Sequence, residues 1–326
     1  MLALAAITAV MALQMNVIGN DFSVFWRAAR SATPYLPGDS NSLPYPPPTL
    51  LWLQPLAYIG AWPGYFLWCA VWLAGFAALT FRLDGARTAI LATLSPASIY
   101  CIAMGQMSGF VAILILVGVL ARRGIWFGVA LGLAATIKPQ MLLLAPLVLI
   151  ARKDLPAIAA AAVTAAMVVS VATIVFGLQS WLDWQAMMHE WRNLVRAVGA
   201  NAPAASPALF AEYLGWPTIP FLIAGVACGI WLALSSKDAE PIELAGIIVL
   251  SSVLASPYSM GYDLIAAMPL AASRAFQRKA YLFLLFLPAG IIASAWVAII
   301  TARRHQDRDR CTPAIMPPGA SPSGGN

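Results

Sequence analysis

The sequence predicts an all-α protein, a polytopic transmembrane helix bundle, and three observations carry that expectation. Of 326 residues, 61 % are apolar and only 10 % charged, against about 25 % charged in a soluble globular chain. Apolar segments recur from end to end, so one anchor or one signal peptide does not account for the composition. No segment alternates apolar and polar residues over the roughly ten-residue strands of an outer-membrane barrel.

In chain order the spans fall at 1–19, 63–81, 88–105, 107–121, 124–137, 139–151, 155–177, 217–236, 241–256, 260–273 and 279–300, about 11 in all within a range of roughly 9–13. Segment 1–19 has the length of a signal peptide. It lacks a basic n-region and a small-x-small cleavage site before Asp21, so it reads as a retained first helix. Residues 107–121, 124–137 and 139–151 are each shorter than the ~20 residues of a straight crossing, which predicts thin, tilted or broken helices. Residues 47–60 read as a re-entrant or interfacial segment. Loop 178–216, with Trp181, Trp184 and Trp191, reads as carrying an interfacial helix. Residues 1–302 form one membrane unit without internal repeats, and 303–326 is a polar, disordered tail rich in Pro, Gly and Ser.

Lys and Arg in the short loops set the orientation. Arg82 with Arg87, Arg122 with Arg123, Arg152 with Lys153, Lys237, and Arg274 with Arg278 and Lys279 all fall on one side, the cytoplasmic one. By the same count Arg303, Arg304, Arg308 and Arg310 land opposite. The opposite side also receives loop 20–62, the turn 105–108, Lys138, loop 178–216 and residues 256–263. The net charge of +6 includes no basic stripe with interleaved aromatics, so nucleic acid is not a partner. Cys69, Cys101 and Cys228 lie in apolar spans as small hydrophobes, and with Cys311 they have no metal or disulfide spacing.

Ionisable residues on the outer side are few, and polar groups beside apolar spans mark function. Asp21 opens a short amphipathic stretch in which Phe22, Phe25, Trp26 and Ala29 share one face and Arg27 and Arg30 point away from it. Its carboxylate is read two ways: as the N-cap of an interfacial helix, or as a base or ligand at head-group depth. Tyr45-Pro46-Pro47-Pro48 is a helix start with Pro in the first turn, or a stiff wall beside a site. Lys138-Pro139 breaks an apolar run near the outer surface. Its ammonium either snorkels to the head groups or contacts a phosphate. Asp263, just inside the span after 256–262, requires a partner, a cation or a substrate hydroxyl. His189-Glu190 lacks the second His of a zinc motif, and His189 reads as a surface residue.

Five motifs occur in order: Asp-Phe-x-Val-Phe-Trp-x-Ala-Ala (21–29), Tyr-Pro-Pro (45–47), Gly-Gln-x-Ser (105–108), Ile-Lys-Pro (137–139) and Ser-Pro-Tyr…Tyr-Asp (256–263). From residue 1 to about 300 the chain resembles glycosyltransferase family 87, related to the polyprenol-phosphate-mannose-dependent mannosyltransferases. The resemblance implies a GT-C-type bundle in a bacterial-type inner (plasma) membrane with its active site on the extracytoplasmic face. It implies a polyprenyl-phosphate sugar donor, a lipid or glycan acceptor, and inverting transfer that is metal-independent and needs no cofactor. The family's catalytic base, an Asp in the first outer loop, maps onto Asp21. The resemblance then makes Arg27, Arg30, Tyr45, Gln106, Lys138, Tyr258, Tyr262 and Asp263 candidate substrate-binding residues. The Ser-Pro motif departs from the mannosyltransferase relatives, with Tyr258 and Tyr262 where they carry a histidine. The rival reading is a transporter or flippase for a lipid-linked or anionic substrate, since transporter sites also use broken helices. Against it stand the absence of repeats and the placement of the charges at one face.

Overall fold

The computed structural model describes Val10 and residues 18–39, 41–198 and 204–275. Among them the chain forms thirteen α-helices and three 3₁₀ helices and no β-strand. The order is α1 (Asn20–Ala28), α2 (Pro48–Leu53), a 3₁₀ helix (Gln54–Tyr58), α3 (Ala61–Thr93), α4 (Pro96–Met104), α5 (Ser108–Ala121) and α6 (Ile125–Ile137). A second 3₁₀ helix (Pro139–Leu142) leads to α7 (Ala145–Ala151), α8 (Leu155–Phe176), α9 (Gln179–Val198), α10 (Pro207–Tyr213), α11 (Thr218–Leu234) and α12 (Pro241–Ala255). The third 3₁₀ helix (Gly261–Ala267) runs into α13 (Met268–Ala275). The expected spans 1–19 and 279–300 and the tail 303–326 lie largely or wholly outside the described residues.

The all-helical expectation holds; the count of about 11 spans is not confirmed among the described residues. Among the described residues only α3 and α8 are long and apolar enough to cross a bilayer, and five further apolar helical stretches are shorter. The cause is local chemistry that interrupts apolar runs. In α3, Asp84 and Gly85 leave helical geometry, with Gly85 at φ +82° and Thr88 donating to Asp84 Oδ2 at 2.7 Å, so Arg82 and Arg87 flank a kink. The expected span 88–105 is cut at Ser95-Pro96, where the Ser95 hydroxyl accepts from the Ser98 amide and Pro takes the first turn of α4. Lys138-Pro139 ends α6, and 139–151 becomes a 3₁₀ turn plus α7. The expected span 260–273 likewise begins as a 3₁₀ helix.

Tight packing depends on small residues, as expected where no water drives helices together. A Cβ on Gly128 of α6 would lie 2.1 Å from the Ala157 carbonyl of α8, and one on Gly225 of α11 would lie 2.2 Å from the Leu254 carbonyl of α12. The other side of α8 is the opposite case. Val163, Met167, Val171, Ile174 and Val175 are exposed, and only Ala157 and Ala172 of this helix are buried. A long helix that is apolar all round and largely exposed has the surface of a membrane span.

The ends of α5, α6 and α12 sort by charge. At one end Arg152 is buried and donates to the carbonyls of Ser236, Lys237 and Ala239, while Asp154 accepts from the Gly124 amide at 3.0 Å. This joins the 122–124, 152–154 and 236–239 loops, which the charge pattern put on one side. The residues expected on the other side gather at the opposite end. There α9, the helix expected in loop 178–216, lies against the 38–39 turn through Met187, Glu190 and Trp191.

Gly128→Leu is expected to wedge α6 from α8, at a cost of about 1–3 kcal/mol. Ile174→Ala, on the exposed side of α8, is expected to be neutral. Thermal midpoints of the two variants in detergent check the contrast.

Candidate active site

The site begins at a close backbone approach. Gly19 is left-handed (φ +68°) and donates to the Ala103 carbonyl at 2.6 Å, which lays α1 across the end of α4. Gly105, also left-handed (φ +71°), ends α4. A Cβ there would lie 2.5 Å from Phe22 Cβ, so glycine is required both by the backbone and by the space. The apolar face of α1 is clamped by aromatic rings. Phe22 meets Tyr65 edge-on at 5.6 Å, and Phe25 meets Tyr45 at 5.4 Å. This seats Asp21 over the turn that follows Gly105.

Gln106 is buried and donates from Nε2 to Asp21 Oδ2, while its Oε1 accepts from the Tyr45 hydroxyl at 2.9 Å. Asp21 itself is only partly buried. Its pKa is pushed up to about 6, chiefly by burial; the Gln106 hydrogen bond and the Lys138 charge oppose the rise and Asp263 adds to it. Asp21 is not an N-cap: Gly19 holds that position and no side chain caps α1.

Beside this lies a buried ion pair. Lys138 Nζ is 2.8 Å from Asp263 Oδ1 and donates to Ser108 Oγ at 2.8 Å; the Ser108 hydroxyl donates to the same carboxylate oxygen at 2.8 Å. The second oxygen, Oδ2, accepts from the Met260 amide at 3.1 Å. The ammonium also lies 4.6 Å from the centroid of Tyr262 and 5.4 Å from that of Tyr45, and Tyr262 stacks on Tyr100 at 5.7 Å. Pro139 strands carbonyls at the end of α6. Thr49 reaches those of Thr136 and Ile137, both at 3.4 Å. Burial holds the phenols of Tyr45 and Tyr258 well above their ordinary pKa, so both stay protonated as donors.

The structure brings together Asp21, Tyr45, Gln106, Lys138, Tyr262 and Asp263, with half-buried Tyr258 in electrostatic range of Asp21, Tyr45 and Asp263. It does not bring in Arg27 or Arg30. Both are exposed, Arg27 on the far face of α1, where it donates to Asn41 Oδ1 at 2.6 Å, and Arg30 in the turn after it, where it donates to the Ile59 carbonyl at 2.8 Å and stacks over Trp26 at 4.2 Å. Lys138 also corrects the sequence reading. It neither lies at the surface nor snorkels: its side chain is 1 % exposed, and the partner that Asp263 required is Lys138. Three neighbours were missed as site residues: Ser108, Tyr100, which stacks on Tyr262, and Tyr213, in electrostatic range of Tyr100 and Tyr258. Ser108 closes the Gly-Gln-x-Ser motif and was legible there; the two tyrosines carry no local signal.

Lys138→Met leaves a buried carboxylate without its cation, and a loss of about 3–5 kcal/mol is expected. The double variant Lys138→Met/Asp263→Leu removes both charges and is expected to regain much of that loss. Thermal midpoints of the two single variants and the double variant check the coupling.

A family model, glycosyltransferase family 87, matches residues 43–257, more than half of the chain. No curated protein and no solved structure matches it. The match contains Tyr45, Gln106, Ser108 and Lys138. Asp21 and Asp263 flank it, and their side-chain bonds run into it, Asp21 to Gln106 and Asp263 to Ser108 and Lys138. The chain belongs to glycosyltransferase family 87 and is a glycosyltransferase.

Proposed function

We propose that this glycosyltransferase moves a sugar, mannose or a related hexose or pentose, from a polyprenyl-phosphate donor to a lipid or glycan acceptor. The reaction takes place at the extracytoplasmic face of a bacterial-type inner membrane, with inversion, and Asp21 is the general base. One observation carries the reading: the cluster holds two carboxylates in unlike states. Asp263 is buried and committed to Lys138, Ser108 and the Met260 amide. Asp21 is partly exposed and is held by one neutral donor. Only the second is free to receive a proton.

In the proposed step the acceptor oxygen attacks the anomeric carbon and its proton passes to Asp21. The bond from that carbon to the phosphate breaks on the opposite face, and its electron pair leaves with the polyprenyl phosphate. A base with a pKa of about 6 is ionised at neutral pH and still basic enough to take the proton. The departing phosphate is already a stabilised anion, so it needs donors and cations rather than an acid. The protonated phenol of Tyr258 and the field of Lys138 are candidates for that work. The unburied apolar surfaces of α3 and α8 match a donor that arrives through the lipid.

The raised pKa has a cost with a definite sign. A carboxyl group that binds its proton more tightly when folded stabilises the fold at low pH. That contribution is lost as pH rises through about 6, so the active, ionised form is the less stable one.

Asp21→Asn is expected to fold normally and to lower transfer of labelled mannose from polyprenyl-phosphate mannose into a membrane-lipid acceptor extract by roughly 10²–10⁴-fold. In the unmodified enzyme transfer is expected to fall about tenfold per pH unit below about 6. Undiminished transfer by Asp21→Asn contradicts the proposal.

A further inference from the structure

We infer that Gln106 is a positioning residue for Asp21: it anchors carboxylate oxygen Oδ2 and leaves Oδ1 for the acceptor hydroxyl, with the Tyr45 hydroxyl fixing which way the amide points. The inference rests on the reading of Asp21 as the base. It also gives Tyr45 and Gln106 a role other than the substrate contact expected from the sequence.

The geometry makes the amide directional. A carboxamide carries an acceptor at one end and donors at the other, and an ionised carboxylate only accepts. Because the Tyr45 hydroxyl donates to Oε1 at 2.9 Å, Nε2 is left facing Asp21. The flipped amide would set its oxygen against the carboxylate and lose that bond. Neither partner has room to turn. The Gln106 backbone amide donates to the Cys101 carbonyl at 2.9 Å directly after left-handed Gly105. Phe25 and the Lys138 ammonium both lie against the Tyr45 ring. Gln106 is 2 % exposed and Tyr45 7 %, so both present little surface to a substrate. Among the described residues, Asp21 Oδ1 accepts no hydrogen bond.

The electrostatic setting explains why a neutral anchor suits the task. The charged and titratable groups facing Asp21 are Lys138, Asp263 and the phenols of Tyr45, Tyr100, Tyr258 and Tyr262. Lys138 is offset by Asp263 at 2.8 Å. A second cation bonded to Asp21 would hold the carboxylate ionised and take away its basicity. An amide donor orients it and favours the ionised form more gently.

The test uses the full-length protein and two readouts. One is infrared titration of the Asp21 carboxyl band, assigned by its loss in Asp21→Asn. The other is the pH profile of transfer from polyprenyl-phosphate mannose. Gln106→Leu is expected to move both midpoints upward by about one pH unit. It is also expected to lower kcat by at least about tenfold while KM for the donor stays within about twofold. Tyr45→Phe is expected to move both midpoints the same way by less. An unmoved infrared midpoint in Gln106→Leu overturns the positioning role. If that variant does not fold, an unmoved midpoint in Tyr45→Phe overturns it instead. A shifted infrared midpoint combined with full transfer by Asp21→Asn supports the anchor and removes the base assignment, so the two failures are distinct.

Discussion

The described structure turns on the ion pair between Lys138 and Asp263, which joins three breaks in the helical chain at one point. Lys138 stands where Pro139 ends α6, Ser108 opens α5, and Asp263 lies in the 3₁₀ turn after α12. Either charge alone would be prohibitive at 1–2 % exposure. Together, with Ser108 and the Met260 amide meeting the remaining bonds, they are tolerable. The polar cluster therefore sits at the meeting of helix ends, the one place in an apolar bundle where backbone donors and acceptors are free to serve a site.

That pair also gives the two carboxylates of the cluster different surroundings. Asp263 is engaged by Lys138, Ser108 and the Met260 amide. Asp21 lies close enough to feel both charges, which act on it in opposite directions, so its burial and the Gln106 bond decide its state. The family match reaches only the middle of this arrangement, and the side-chain bonds tie its two flanks to that middle.

Much of this was legible in the sequence, and the exceptions have physical reasons. Lys138-Pro139 was read as a break and the span from 241 begins where α12 does, because proline acts locally, whereas Ser95-Pro96 lay unread inside the expected span 88–105. The same locality showed Arg27 and Arg30 turned away from the apolar face of α1. The expected spans depart from the observed helices where a local signal was outvoted by hydropathy: Asp84-Gly85 bends α3 and the proline breaks divide what a window average joins. Lys138 was placed at the surface because its partner is 125 residues away, and nothing local announces a pairing over that separation. Gln106 was visible as a motif residue, but its attachment to Asp21 depends on Gly105 admitting Phe22 at close range.

The most direct measurement is a structure of the Asp21→Asn variant with a phosphonate analogue of polyprenyl-phosphate mannose bound. The account predicts the anomeric carbon within about 6 Å of residue 21, with space for an acceptor hydroxyl between them, and the prenyl chain leaving among the apolar helices. A donor seated against the Arg27–Arg30 face of α1, or at the end of the bundle that carries Arg122 and Arg152, would contradict it.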